Sequence, residues 1–434
     1  MSPDPDPRTV AARHFRRNYI CGLLNGAFFG FVDSVASPYL VLSLFVNTLG
    51  GSNFLVGLLP AINNGGWFLP QFLISHRLQQ LPRKKSVYDT AGIVRIFCWL
   101  VLVLSTFFIG NSNATLLLLL FFIPYTLYSL AAGFAGAPFM DIVAKTIPVN
   151  RRGTFFGRRD LTGAVMAIGG SYIVSYFLNP QTALAFPINF AYLFLIAGIA
   201  VTIGLGAFSF VVEPVEATPV QELTFRDQLH AARAMFLRNQ LYRRFLLTRV
   251  AIAAADIATP FYAIYATRIL GIPLEVIGVY IAATTGASLL TNPLLSRLSD
   301  QRGHRIVLLG AATGMVTMPA LAMLFGLLPA GSALGLPFGL VFVVLGITRT
   351  AGNIAYPSYL LEIAPAGERP LYIGFTNTIL GVATFLPILG GILLDLASFR
   401  VILLLTLVIA GIAWWLAKGM AEPRQLALHA SPRI

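Results

Sequence analysis

The chain has 434 residues, of which 57% are hydrophobic and 11% charged, a balance too apolar for a soluble domain of this length. The formal net charge is +13, but the basic residues are spread over many loops and form no single stripe, which argues against a nucleic-acid partner. The two cysteines, Cys21 and Cys98, both fall in apolar stretches, which argues against a disulfide framework or a thiolate metal site.

A short, Pro-rich polar tail, residues 1–17, precedes the first apolar stretch and is expected to be disordered. Apolar stretches then follow near 18–47, 53–74, 88–110, 113–139, 160–179 and 189–212. Each is long enough to cross a hydrocarbon core of roughly 30 Å. The first is far longer than the apolar core of a signal peptide and has no small-residue cleavage site, so it reads as a retained span. The longest polar connection, 213–242, opens with Glu213-Pro214 and continues through Thr224 and Asp227, a capping-box pair. Phe225, Leu229, Ala232 and Phe236 recur at helical spacing there, predicting an amphipathic helix that tethers two bundles. Six more stretches occupy 243–267, 275–296, 304–327, 336–361, 371–394 and 398–418, and a tail of 419–434 ends the chain. The reading is all-α: a polytopic membrane protein of twelve spans in two bundles, 18–212 and 243–418.

The positions of the bases orient it. Only Arg268 and Arg400 fall in or beside odd-numbered connections, and only Arg95, Arg249 and Arg349 lie well inside spans; the other Lys and Arg occupy the tails, the even-numbered connections and the span ends beside them. That bias predicts both termini in the cytosol, in a multi-pass protein of the cell (plasma or inner) membrane.

The chain also repeats. Leu49-Gly50, Val56-Gly57 and Asn63-Asn64-Gly65 match Leu270-Gly271, Ile277-Gly278 and Thr284-Thr285-Gly286 at an offset of 221 residues. Pro148, Arg152, Phe155 and Gly157 match Pro365, Arg369, Tyr372 and Gly374 at an offset of 217. Two matches at nearly half the chain length point to a six-plus-six duplication. Parallel repeats of that kind place a binding site near the bilayer midplane between the bundles.

Two loop motifs carry a resemblance. Leu298-Ser299-Asp300-Gln301-Arg302-Gly303-His304-Arg305 follows span 8, and Leu78-Gln79-Gln80-Leu81-Pro82-Arg83-Lys84-Lys85 stands at the same place in the first half. With twelve spans, a duplicated half and a long central loop, the chain resembles a major facilitator superfamily transporter over about residues 14–420. The second-half loop keeps the family's acid, glycine and following base; the first-half copy has Gln80 for the acid and Arg83 for the glycine. Pro387-x-x-Gly390-Gly391 on span 11 is similar to part of a motif that exporters of the family carry on span 5, where this chain has Gly169-Gly170 without the proline.

An ionisable residue deep in a span costs at least ~2.5 kcal/mol and is a functional candidate by default. Asp33, Asp256 and Arg349 lie about halfway along spans 1, 7 and 10, which the resemblance makes cavity helices. Asn25, Phe29 and Asp33 share one helix face, as do Arg349, Asn353 and Tyr356; Thr259 sits one turn beyond Asp256. With Asn63, Asn64 and Tyr128, these form the expected cavity lining. Arg95 and Arg249 lie within two turns of the cytosolic end and read as snorkelling bases. Two aspartates and one arginine leave one carboxylate without a fixed partner, so Asp33 or Asp256 is expected to carry a proton. No histidine falls in a span, and no P-loop or nucleophile–base pair is found, so an enzyme is not expected and neither is a cofactor. By the resemblance, Asp300, Gly303 and Arg305 would form a cytosolic gate with Arg158 and Arg159 at the start of span 5.

The expectation is a secondary carrier of a small organic solute, coupled to protons or sodium, monomeric and embedded in the lipid bilayer. An exporter of amphipathic compounds is one form of it. An uptake carrier for an anionic metabolite, a lipid flippase and a transporter-like receptor stand as alternatives.

Overall fold

A computed structural model describes residues 7–79, 81, 83–110, 112–182, 184–215, 236–365 and 369–423. The amphipathic helix expected in 213–242 falls mostly on 216–235, outside the described residues, as do Gln80 and the outermost parts of both tails. Among the described residues every regular element is helical.

In the first half α1 (Pro7–Val35) and α2 (Val41–Thr48) make up the first expected span. They are followed by α3 (Asn53–Gln79), α4 (Lys85–Ile109), α5 (Ala114–Thr146), α6 (Val149–Leu178) and α7 (Ile188–Ser209). The second half opens with α8 (Gln240–Ala255), a 3-10 turn (Asp256–Phe261) and α9 (Tyr262–Arg268). Then come α10 (Val276–Arg302), α11 (His304–Phe325), α12 (Gly335–Ile363), α13 (Arg369–Ala383), α14 (Leu386–Leu396) and α15 (Phe399–Lys418). Among the described residues nine helical segments are long and apolar enough to cross a membrane. The three expected spans outside that group are α1 with α2, α3 and α10.

The first span of each half is broken at the same place. Helix α1 stops at Val35, and the chain restarts as α2 after Pro38; the Ser43 hydroxyl donates to the freed Pro38 carbonyl. In the second half α8 stops at Ala255, and a tighter turn carries Pro260 before α9 resumes. Pro38 and Pro260, which match at an offset of 222 residues, stand at the two breaks; each lacks the amide that a helix interior needs, although α3 runs on through Pro60 and Pro70. Asp33 and Asp256 therefore sit within a turn of a helix break.

The chain divides into two compact units, Met1–Gly51 with Leu59–Gln221, and Ser52–Leu58 with Glu222–Ile434. In the first, a side chain on Gly30 would run into the backbone of Gly163, and one on Gly133 into the carbonyl of Gly66. Small residues let these helices approach closely, as packing in lipid favours. In the second, Gly346 meets the Thr284 carbonyl in the same way. The start of α3 belongs to this second unit: Asp395 accepts from the Asn53 amide (3.2 Å), the Asn53 side chain (2.8 Å) and the Phe54 amide (3.1 Å). Gly391 leaves room there for the Asn53 carbonyl, so Gly390-Gly391 of span 11 serve close packing.

Each unit is tied together by a glutamate just past its last helix. Glu213, 6% exposed, accepts from the Lys84 amide at 3.0 and 2.9 Å and from the Lys85 amide at 2.8 Å. These are free donors at the start of α4, where the helix dipole also favours a negative charge. Lys145 bridges Glu213 at 3.1 Å and Asp141 at 2.7 Å, and Lys84 reaches Asp141 at 2.7 Å. In the second unit Glu422, 7% exposed, accepts from the Arg305 amide at the start of α11 at 3.0 Å. Gly303, at φ +92°, leaves the space that this carboxylate fills. The Arg305 guanidinium donates to the Lys418 carbonyl at 2.7 Å.

Candidate functional site

In the first unit Asp33, two residues before the end of α1, is exposed. Asn25, two turns earlier, is not part of an open lining. It is 1% exposed and donates to the Tyr88 hydroxyl (3.1 Å) and the Gly204 carbonyl (2.9 Å), while Arg159 donates to its oxygen at 3.2 Å. Its amide is spent joining α1 to α4, α6 and α7. Helical spacing placed Asn25 on the face of Asp33; the packing against α7 takes that end of the face into the bundle. Arg159 also stacks on Phe139 at 5.1 Å, so this base is anchored within the first unit. Arg158, one residue before it, is exposed.

Arg95 departs from the sequence expectation most clearly. A snorkelling base should reach water, yet Arg95 is 6% exposed and donates to the Tyr128 hydroxyl at 2.9 Å. Its guanidinium lies over the rings of Phe29 at 4.7 Å and Tyr128 at 4.5 Å. Two aromatic faces and one hydroxyl hold a buried cation there, and its Nε has no hydrogen-bond partner. Phe29 and Tyr128, expected as lining, are thus platforms for Arg95. Asn63 donates weakly to Asn64 (3.5 Å), which donates to the Tyr39 hydroxyl at 3.1 Å.

The second unit repeats the device. Arg249 lies 3.5 Å from the centre of the Tyr356 ring, again with its Nε buried and unpartnered. Asp256 stands where α8 ends, and its carboxylate accepts from the Thr259 hydroxyl. Arg349 and Asp256 interact electrostatically and belong to one unit. Asn353, one turn on from Arg349, is exposed. Asp300 occupies the last turn of α10; Gly303 and Arg305 serve the Glu422 contact. Among the described residues no group of three or more His, Cys, Asp or Glu is arranged to hold a metal ion.

The family model described as Major Facilitator Superfamily matches residues 244–431. That match covers less than half of the chain, and makes its second half similar to this superfamily. A stretch of 122 residues is 31% identical to the class H tetracycline resistance protein of Pasteurella multocida. That match spans 28% of each protein, so the chain aligns with less than a third of the relative's length. Among solved structures, a D-xylose-proton symporter superposes with a TM-score of 0.68 at 15% identity, over 95% of this chain and 99% of that one. A mutant of the nucleoside transporter NupG gives 0.68 at 13% identity, over 93% and 98%. A POT family transporter crystallised with a thioalcohol-conjugated peptide gives 0.68 at 14% identity, over 97% and 96%. At these identities the likeness is one of fold.

Proposed function

We propose that the chain is a secondary active transporter that moves a small organic solute across the cell membrane by alternating access, with both termini in the cytosol. The observation that carries this reading is the paired interruption. In a superfamily fold, each half breaks its first span at a matched proline and puts an aspartate, Asp33 or Asp256, within a turn of the break. Discontinuous helices at membrane depth are where carriers of this general kind bind solute and coupling ions. A carboxylate there is expensive unless it has a task or a partner. Coupling to protons has one fold relative behind it, the D-xylose-proton symporter, whose name includes that ion.

The similarity to a tetracycline resistance protein favours an amphipathic compound as cargo and export as the direction. A second reading, a carrier for an anionic metabolite, is favoured by two arginines, Arg249 and Arg349, on the unit that carries Asp256. Reconstituted protein with an imposed proton gradient tests coupling. Asp33→Asn or Asp256→Asn should abolish accumulation against a gradient while leaving exchange partly intact. Full concentrative transport by both variants would sink the proton assignment.

A further inference from the structure

The basic end of the first unit holds a groove more than two turns of α1 away from Asp33. It lies between α1 and α6, has a volume of about 500 Å³, and is lined by Phe15, Arg16, Tyr19, Ile20, Leu23, Arg151, Thr154 and Arg158. Three guanidinium groups line it and, among the described residues, no carboxylate does. Arg151 is steadied over the Phe15 ring at 5.3 Å, and Phe15 packs on Tyr19 at 5.5 Å. The Tyr19 hydroxyl is buried without a hydrogen-bond partner. Arg151 and Thr154 belong to the first two turns of α6, whose free amides add positive potential. Beyond this charged rim the wall turns apolar at Ile20 and Leu23.

We propose that this groove binds an anionic phospholipid, with the phosphodiester between Arg16, Arg151 and Arg158 and an acyl chain along Ile20 and Leu23. Guanidinium groups match phosphate oxygens in fork geometry. A free phosphate would satisfy the rim but leave the apolar wall unused; a phospholipid satisfies both. On the proposed orientation the groove opens to the cytosolic leaflet, where anionic lipids meet basic pockets between helices.

The repeat shows that topology alone does not demand these bases. At the offset of 217 residues, Arg151 corresponds to Glu368, Thr154 to Leu371 and Arg158 to Phe375, whereas Arg152 corresponds to Arg369. The positive-inside rule applies to both halves alike, yet only the first half has arginines at the two groove positions. The charge there is a property of this groove.

Native mass spectrometry of the full chain in detergent tests the assignment, with phosphatidylglycerol, phosphatidylcholine of the same acyl chains, and inorganic phosphate as probes. Phosphatidylglycerol should be retained and phosphatidylcholine should bind at least tenfold more weakly. Millimolar inorganic phosphate should leave the lipid in place. Arg151→Gln with Arg158→Gln should weaken phosphatidylglycerol about thirtyfold, the effect of removing two bases from a membrane-surface site. Arg238→Gln with Arg243→Gln, which remove two bases elsewhere, should change it less than twofold. Ile20→Gln keeps every charge and should also weaken the lipid, so the result does not hang on one variant. Equal losses in both arginine pairs would reduce the effect to diffuse attraction and overturn the site. Unchanged retention in Arg151→Gln/Arg158→Gln would do the same, and displacement of lipid by inorganic phosphate would overturn the lipid as occupant.

Discussion

The two halves use one device at unequal strength. Glu213 and Glu422 each lie just past the last helix of their unit, are each followed by proline, and each accept from the start of the unit's third span. Glu213 takes two amides and a lysine and sits in a four-residue charge cluster with Asp141, Lys84 and Lys145. Glu422 takes one amide, and its second oxygen is buried without a partner. A duplicated fold has thus kept the position of a tie while building its surroundings in one copy only. Charge compensation, and not the contact itself, should decide how much each tie is worth.

The most direct way to break the comparison is to neutralise both glutamates. Glu213→Gln leaves two buried lysines facing one aspartate, and breaking such an arrangement typically costs ~3–5 kcal/mol. Glu422→Gln removes one charge-assisted hydrogen bond, worth about 1.5–3 kcal/mol. Thermal unfolding in detergent should show the larger fall in midpoint for Glu213→Gln, and equal falls would refute the ranking. Next in size is the buried arginine of each half. Arg95→Lys and Arg249→Lys keep the charge but lose the flat guanidinium that lies on Tyr128 or Tyr356. Each should cost about 1–2 kcal/mol, with Arg95→Lys the greater because its guanidinium lies over two rings and that of Arg249 over one.

Arg349→Lys sharpens the comparison on the functional side. If a fork is needed to hold solute or Asp256, transport by reconstituted protein should fall at least tenfold with expression unchanged. Wild-type transport would reduce Arg349 to charge balance. The smallest effect belongs to Asp300. Its first-half counterpart is Gln80, so of the two matched loops only the second carries an acid at this place. An exposed ion pair is worth at most ~1 kcal/mol. Asp300→Asn should therefore raise the accessibility of single cysteines on the cytosolic side of spans 1 and 7 only a few-fold, and unchanged labelling would leave Asp300 without a gating role.

The fold was legible where a residue type has one meaning in lipid. Bases mark loops, because a charge does not fit unaided in a continuous apolar helix; proline has no such single meaning, since α3 runs on through Pro60 and Pro70 while Pro38 and Pro260 stand at breaks. Asp33, Asp256 and Arg349 could be picked out by depth alone. The partners of Arg95 could not. They are Phe29 and Tyr128, on two other helices, and no spacing along α4 announces them; depth measured from a span end therefore misread a buried base as a snorkelling one. Asn25 was misread because helical periodicity gives a face but not what packs against it. Glu213 had a signal that went unused. The Glu-Pro pair recurs at 422–423, an offset of 209 residues, yet in the first half it reads as the opening of a linker.

The position of Glu213 also sets an order in time. A chain made from its N-terminus delivers Lys84, Asp141 and Lys145 long before it delivers residue 213. Until then the two lysines have only Asp141 between them, and the first amides of α4 lack their acceptor. The first bundle therefore stays unlocked while its spans enter the membrane, and closes when the last residues of the half emerge. A ribosome stalled before Glu213 would hold a bundle with all six spans but an open charge cluster, a state that a quality-control protease could distinguish from the finished half.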